Sequence, residues 1–298
     1  MKTIKFSLII ATLLILVSCA GNGNDFDATG SFEATEIIVS SQANGKILQL
    51  NVQEGQQVQA NEIVGQIDST QLYFQKMNLL SNAQGVRAQR PNIHEQTAAI
   101  EQQIQTLQRE RTRTQNLIAA NAANQKQLDD INSQIDVLQK QLSAQTSTLQ
   151  KSSANISAQS SALQIQVAQL DDLLEKSTIK SPISGVVLNK YAEAGELAGT
   201  GTPLFKVADV DNMFLRAYIT NDQLSKIKLN HSVTVRVDEG GGKMKSYPGT
   251  ISWISDKAEF TPKTIQTKNE RANLVYAVKI AVKNDGFLKI GMYGEVVF

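Results

Sequence analysis

The sequence is poor in cysteine, in aromatic residues and in net charge. Its 298 residues include one cysteine, so no disulfide can form within the chain. Aromatic residues make up 5% of the chain, which argues against one large globular core in a chain long enough for two or three domains. The 29 basic residues nearly balance the 28 acidic ones, and a net charge of +1 offers no general attraction to nucleic acid or acidic surfaces.

The sequence also lacks the motifs of catalytic and cofactor sites. It contains no nucleotide-binding loop, nucleophile elbow or zinc-ligand spacing. The two histidines, His94 and His231, lie among polar residues, so neither is expected to act in catalysis or metal binding. The run Gly240, Gly241 and Gly242 is not followed by Lys-Ser/Thr, so it predicts a hairpin turn rather than a phosphate site. We therefore expect a protein that is not an enzyme and binds no cofactor or metal.

Long apolar segments are missing except at the N-terminus. Lys2 and Lys5 precede an apolar stretch of 13 residues, 6–18, which is too short to span a bilayer comfortably. This pattern predicts a signal peptide over residues 1–18. No other segment approaches the length of a transmembrane helix.

The end of the apolar stretch indicates a lipid anchor. Leu16, Val17, Ser18 and Cys19 resemble a lipobox, the cleavage and lipidation signal of bacterial lipoproteins. On this interpretation Cys19 is the acylated first residue of the mature chain. The alternative is a cysteine that happens to lie near an ordinary cleavage site. Residues 19–34 begin with a segment rich in Gly, Asn and Asp, so they are expected to form the anchor and a flexible tether.

Proline and glycine are nearly absent from residues 70–175, which contain only Pro91 and Gly85. Apolar residues recur there every seven positions, a pattern typical of a coiled coil. They are Leu72, Leu79, Val86, Ile93, Ile100 and Leu107, then Leu128, Ile135, Leu142, Leu149, Ile156, Leu163 and Leu170. Residues 121–124 separate two arms of equal length, which predicts an antiparallel helical hairpin about 75 Å long.

Pro91 interrupts the outgoing arm of this hairpin. A serine-rich run, residues 152–161, lies opposite it by residue count. The two features predict a kink or flexible joint, and the alternative is a tolerated break without a mechanical role. The contact between the two arms, the seam, needs a second apolar heptad position beside the first. Several residues at that second position are polar, namely Arg90, Arg111, Gln145, Ser152 and Gln159. We expect packing against further copies of the chain to supply the missing burial.

A pattern of short strands flanks the hairpin and occurs twice. A shift of 140 residues aligns Gly45 with Gly185, Gly55 with Gly195, Val64 with Leu204 and Ile67 with Val207. This is an internal repeat with a helical insertion between its copies. The predicted halves are residues 35–69 and 176–208, and the alternating strands of residues 209–298 predict a β-barrel with Trp253 in its core.

The two halves resemble the half-motifs of a biotinyl/lipoyl domain, a flattened β-sandwich. The resemblance implies that a carrier domain would present a lysine in the turn between its halves. Here the hairpin replaces that turn, and Lys46 and Lys190 lie in predicted strands. A lipoylated carrier is therefore an alternative that the residues do not favour.

The predicted chain is α+β: a membrane anchor precedes a lipoyl-like sandwich, a long coiled-coil hairpin splits that sandwich, and a β-barrel follows. This plan resembles that of the membrane fusion proteins, or periplasmic adaptors, of the HlyD type. Residues 258–267 and 274–276 are similar to a stretch of the YbhG-like branch, which is associated with ABC-type exporters. Residues 288–292 resemble the Leu-Lys-Pro-Gly-Met near the end of the barrel in this family, with Ile290 in place of proline.

The resemblance implies an elongated adaptor subunit of a tripartite export pump. It would link an inner-membrane ABC-type transporter to a TolC-like outer-membrane duct and form a sealed conduit, with a hexameric ring of copies. The adaptor role favours an inner-membrane lipid on Cys19, although Ala20 after it fits sorting to the outer membrane. An adaptor of a proton-driven RND pump and a coiled-coil lipoprotein tethering envelope layers are the alternatives.

The resemblance extends to the predicted tip, near residues 117–124. Adaptors that engage a TolC-like duct carry Arg-x3-Leu-x6-Ser there, and this chain has Arg113, Leu117 and Asn124 at that spacing, with Asn in place of Ser. The match implies that Leu117 is an exposed apolar contact and Arg113 a hydrogen-bond donor to the duct. The alternative is that Leu117 belongs to the seam and Arg113 is a solvated charge.

Overall fold

The computed structural model describes residues 26–260 and 274–298. The predicted signal peptide, Cys19 and residues 261–267 lie outside the described residues. The strands are β1 (Ala28–Ser40), β2 (Gly45–Leu50), β3 (Gln57–Val58), β4 (Ile63–Ile67), β5 (Thr178–Lys180), β6 (Gly185–Lys190), β7 (Leu197–Ala198), β8 (Pro203–Thr220), β9 (Ser232–Gly240), β10 (Lys243–Phe260), β11 (Leu274–Lys283) and β12 (Tyr293–Val297). The helices are α1 (Thr70–Ala88), α2 (Ile93–Ala119), α3 (Gln125–Lys176) and α4 (Asn221–Leu224).

The predicted β-barrel is confirmed. Its strands follow the order β1-β12-β9-β10-β11-β8, and β8 pairs back to β1, so the ring is closed. Phe32, Leu215 and Ile280 are fully buried in its core. Strands β1 and β8 continue beyond the barrel as one antiparallel ribbon into a second core, which contains Ile47 and Phe205. This ribbon joins the barrel to the split module.

Strand β1 corrects the expected tether, because residues 28–34 are part of the barrel. Phe32 is fully buried, and its N–H donates to the carbonyl oxygen of Met292 at 2.8 Å. Gly30 lies so close to β8 that a Cβ atom there would come within 2.0 Å of the carbonyl oxygen of Arg216. Glycine at this position therefore serves a close approach of two strands rather than chain flexibility.

The 140-residue repeat is confirmed strand by strand. β2 and β6, β3 and β7, and β4 and the beginning of β8 each start 140 residues apart. The N–H of Gly55 donates to the carbonyl oxygen of Val187, and the equivalent N–H of Gly195 donates to that of Ile47, both at 2.8 Å. Each half therefore satisfies backbone groups of the other, and neither half is a complete unit alone.

The predicted helical hairpin is confirmed as well. The outgoing arm consists of α1 and α2, which are separated by residues 89–92 around Pro91. The return arm α3 is one helix of 52 residues, about 78 Å long at 1.5 Å per residue, and its serine-rich run does not interrupt it. The helix break is therefore confined to the outgoing arm, where proline removes a backbone donor.

The seam of the return arm differs from the expected heptad positions. Gln145, Ser152 and Gln159 are exposed, and the neighbouring Thr146, Ser153 and Ser160 face the outgoing arm instead. An α-helix has 3.6 residues per turn, so a strict seven-residue pattern drifts around it by about 20° per heptad. About five heptads of this drift amount to one residue, and α3 corrects for it with a four-residue step from Leu142 to Thr146 in the positions that face the outgoing arm.

Candidate docking site at the hairpin tip

The hairpin turn is built from two capping arrangements. Asn121 has a φ of 56°, in the left-handed region that ends many helices. Its N–H donates to the carbonyl oxygen of Ile118 at 2.9 Å, and the N–H of Ala122 donates to that of Leu117 at 2.8 Å. This pair of bonds is the Schellman motif, which satisfies carbonyl groups at the end of α2. The turn therefore has a defined geometry despite its short, mostly alanine sequence.

Arg113 and Leu117 lie one helical turn apart on α2 and share a face. Leu117 is 41% exposed, so it is not a closed part of the seam in a single copy of the chain. Arg113 is exposed, and no carboxylate of the described ranges 26–260 and 274–298 lies within ion-pair distance of it. The tip thus presents an apolar side chain beside a guanidinium that forms no ion pair within those ranges.

Asn124 has a local structural role. It is the N-cap of α3, and its side-chain oxygen accepts a hydrogen bond from the N–H of Lys126 at 2.9 Å. The oxygen that a duct could contact is therefore already engaged in the cap. Of the three sequence-predicted tip residues, the structure places Arg113 and Leu117 on one face and Asn124 beyond the turn.

The seam behind the tip is partly polar. Thr114 is buried there, and Arg111 is half-buried with its Nε atom lacking a hydrogen-bond partner in the described part of the chain. Buried donors without acceptors cost free energy. One copy of the hairpin therefore leaves one buried polar atom near the tip, Arg111 Nε, unsatisfied among the described residues.

The remaining sequence candidates have mixed outcomes. Lys46 and Lys190 lie in strands β2 and β6, as predicted, and Lys190 forms an ion pair with Glu193 at 2.6 Å. His94 and His231 are exposed, and no group of three or more potential metal ligands occurs within the described residues.

Trp253 was expected in the barrel core, and this prediction is wrong, because the side chain is 40% exposed. Ile251 pairs with Ile280 and Trp253 with Lys279, so β10 contains an extra residue between two consecutive partners on β11. Such a β-bulge turns the following side chain to the other face. The indole instead lies 5.8 Å from the Lys279 ammonium, on the outside of the barrel.

The strongest electrostatic perturbation also lies in the barrel, far along the chain from the tip. The Asp285 carboxylate accepts hydrogen bonds from Lys245 Nζ at 2.6 Å, from the Phe287 N–H at 3.1 Å and from the Tyr247 hydroxyl at 3.0 Å. The Lys245 bond, followed by the Phe287 N–H, lowers the pKa of Asp285 from 3.8 to about 2. The arrangement fastens β10 to the β11–β12 connection.

Sequence reasoning missed one side-chain cluster, at the Pro91 break. Arg87 and Arg90 donate hydrogen bonds across the seam to Ser153, Ser157 and Ser160 of α3. The spacing of these serines, four and then three residues, places them on one helical face and was the available signal.

Comparison with known proteins agrees with this architecture. A family model described as "RND MFP, barrel-sandwich hybrid domain" matches residues 35–210, more than half of the chain. The chain belongs to the membrane fusion proteins. The resemblance to this family is thereby confirmed, and the membrane fusion proteins are adaptors of efflux pumps in the cell envelope.

Relatives of this membrane fusion protein span nearly its whole length. It is 26% identical to a UPF0194 membrane protein of Yersinia enterocolitica, over 98% of each chain. It is 28% identical to a UPF0194 membrane protein of Citrobacter koseri, over 92% of this chain and 89% of that one.

Solved structures share the fold. MacA from Actinobacillus actinomycetemcomitans is 22% identical, with a TM-score of 0.50 over 93% of this chain and 79% of that one. The membrane fusion protein Spr0693 from Streptococcus pneumoniae R6 is 17% identical, with a TM-score of 0.51 over 90% of this chain and 96% of that one. None of the helices within residues 26–260 and 274–298 combines the length and the hydrophobicity needed to cross a membrane.

Proposed function

We propose that this membrane fusion protein is the non-enzymatic periplasmic adaptor of a tripartite export pump. It links an inner-membrane ABC-type transporter to a TolC-like outer-membrane duct and forms a sealed conduit with further copies of itself. The observation that carries the proposal is that Arg113 and Leu117 lie on one helix face at the end of a hairpin about 78 Å long. An exposed leucine beside an exposed arginine suits a helical groove with carbonyl or carboxylate acceptors.

Assembly into a ring of six copies is part of this proposal and rests on the family resemblance. The half-buried seam supports it, because Arg111 keeps a buried Nε without a partner in the described part of one copy. The hairpin of a neighbouring copy would supply hydrogen-bond acceptors for Arg111 and apolar contacts for the seam at the same level of the hairpin. A tethering coiled-coil lipoprotein would account for the hairpin but not for the repeated module around it.

The transporter class has two candidates. Residues 258–260 and 274–276 belong to the stretch that is similar to the YbhG-like branch, which supports an ABC-type partner. The description of the matching family model names RND, which supports a proton-driven RND pump as the second candidate. Co-purification of the transporter encoded beside this chain would separate them, because each candidate predicts a different protein in the complex.

Docking through the tip is tested by Leu117→Asp. A buried carboxylate in an apolar groove is costly, so crosslinking of the adaptor to a TolC-like duct is expected to fall at least tenfold. Val137→Asp is the matched control, because Val137 is 64% exposed on the same hairpin but lies away from the tip. If Leu117→Asp crosslinks as well as the control, the tip assignment is wrong.

Anchoring through Cys19 is tested by Cys19→Ala. We expect loss of fatty-acid labelling and release of the protein from membranes, since no other segment of the sequence has the length of a membrane span. The measurement is radiolabelled palmitate incorporation, followed by membrane fractionation. Labelling that persists in the variant contradicts the anchor.

A further inference from the structure

The break in the outgoing arm is joined to the return arm by two arginines and three serines. Arg87 Nε donates to Ser160 Oγ at 3.0 Å, and Arg90 Nε donates to Ser153 Oγ at 2.9 Å. Arg90 also donates through Nη2 to Ser157 Oγ at 2.6 Å. We call these five residues the arginine–serine clasp. It lies within a few residues of Pro91, where α1 and α2 are not connected by helical hydrogen bonds.

The contacts of the clasp follow the register of the hairpin. Closer to the module, Lys76 and Asp171 form an ion pair at 2.6 Å. The steps from Lys76 to Arg87 and from Asp171 to Ser160 have equal length, so the ion pair and the clasp belong to one alignment of the arms. The clasp differs in chemistry, because its guanidinium groups have hydroxyl acceptors and no ion pair among residues 26–260 and 274–298.

Apolar packing near the clasp specifies the alignment weakly. The most deeply buried residues of the seam are Thr97 and Ser160, each 2% exposed, and Ala83 is the buried residue of α1. Small and polar side chains pack almost equally well after a shift of one helix along its axis. Hydrogen bonds, by contrast, are directional and are lost after such a shift, which is why a buried polar residue can set the register of a coiled coil.

We propose that Arg87 and Arg90 are positioning residues that set the axial alignment of the outgoing arm on α3 at its break. No continuous helix carries this alignment from α1 into α2 across residues 89–92, because Pro91 supplies no N–H and the helix is interrupted. The clasp therefore holds the end of α1 and the connection that leads into α2, while the turn at residues 121–124 holds the end of α2. Its importance for export rests on the proposed function, since the alignment sets the height of Leu117 relative to the tips of neighbouring copies.

The test measures distances between spin labels in the full chain with Cys19→Ser, which removes the only native cysteine. One pair of labels is placed at positions 102 and 145, on the exposed faces of α2 and α3. A reference pair at positions 78 and 169 reports on the module half of the hairpin. No duct or transporter is present, so the result is independent of the docking proposal.

The decisive variant is the double substitution Ser153→Ala with Ser157→Ala, which removes both acceptors of Arg90. Alanine has a higher helix propensity than serine, so general loosening of α3 is not expected. We expect the 102–145 distance distribution to become at least twice as wide or to gain a second population, with the 78–169 distribution unchanged. Arg87→Ala with Arg90→Ala should give the same result from the other side of the seam.

Arg109→Ala is the matched control. Arg109 belongs to the same arm, and its side chain donates a hydrogen bond to Thr106 on its own helix, so its loss should leave both distributions unchanged. The proposal is overturned if the serine variant keeps the narrow 102–145 distribution. It is equally overturned if both label pairs broaden to the same extent, because the clasp would then act on general stability rather than alignment.

Discussion

In the split module Leu204 and Val207 lose all contact with solvent, whereas the most deeply buried residues of the hairpin are a threonine and a serine. The module closes on itself through reciprocal hydrogen bonds between its halves and an apolar core. The hairpin spreads its apolar residues thinly along a helix of 52 residues. The same chain thus contains a region that is complete alone and a region that offers surface to others.

The largest expected effect is the loss of a leucine from the module. Leu204→Ala should lower the free energy of unfolding by about 2–5 kcal/mol, because a fully buried leucine leaves both lost transfer energy and a cavity. Urea denaturation followed by circular dichroism measures it. A cost below about 1 kcal/mol would mean that the module core is not closed as described.

The same substitution in the hairpin sharpens the comparison. Leu142 on α3 is only half-buried, so Leu142→Ala should cost about 1 kcal/mol in the isolated chain. Copies packed side by side would bury the residue further. The cost should therefore rise with protein concentration if the ring forms, and a cost that equals that of Leu204→Ala in dilute protein would remove the contrast.

The smallest expected effect is a pH dependence of stability that arises in the barrel, at Asp285. The pKa of Asp285 is lowered to about 2 in the folded protein, so its contribution to stability is fully present above pH 3.8 and is lost as the pH falls through about 2. Melting temperatures between pH 5 and pH 2 should fall more steeply for the wild type than for Asp285→Asn.

Equal slopes for the two proteins would show that the bonds from Lys245 and Tyr247 do not depend on the charge of Asp285.

Local periodicity in the sequence determined the large features. Heptads and the scarcity of proline and glycine predicted the hairpin and its turn, and Pro91 predicted the interruption. The 140-residue repeat predicted the split module. The tip residues Arg113 and Leu117 were also predictable, since a motif at a predicted turn is a local property. Their contact with a duct stays a prediction.

Only the tertiary structure decided which partners the elements meet. Residues 28–34 form a strand because β8 and β12 flank them, and no local sequence pattern predicts those partners. Trp253 lies on the outside of the barrel because a bulge in β10 turns its side chain to that face. The clasp can form because Ser153 and Ser160 of α3, rather than Ser152 and Gln159, face the outgoing arm. Periodicity is a property of residues close together in the sequence, whereas register depends on packing between residues far apart in the chain.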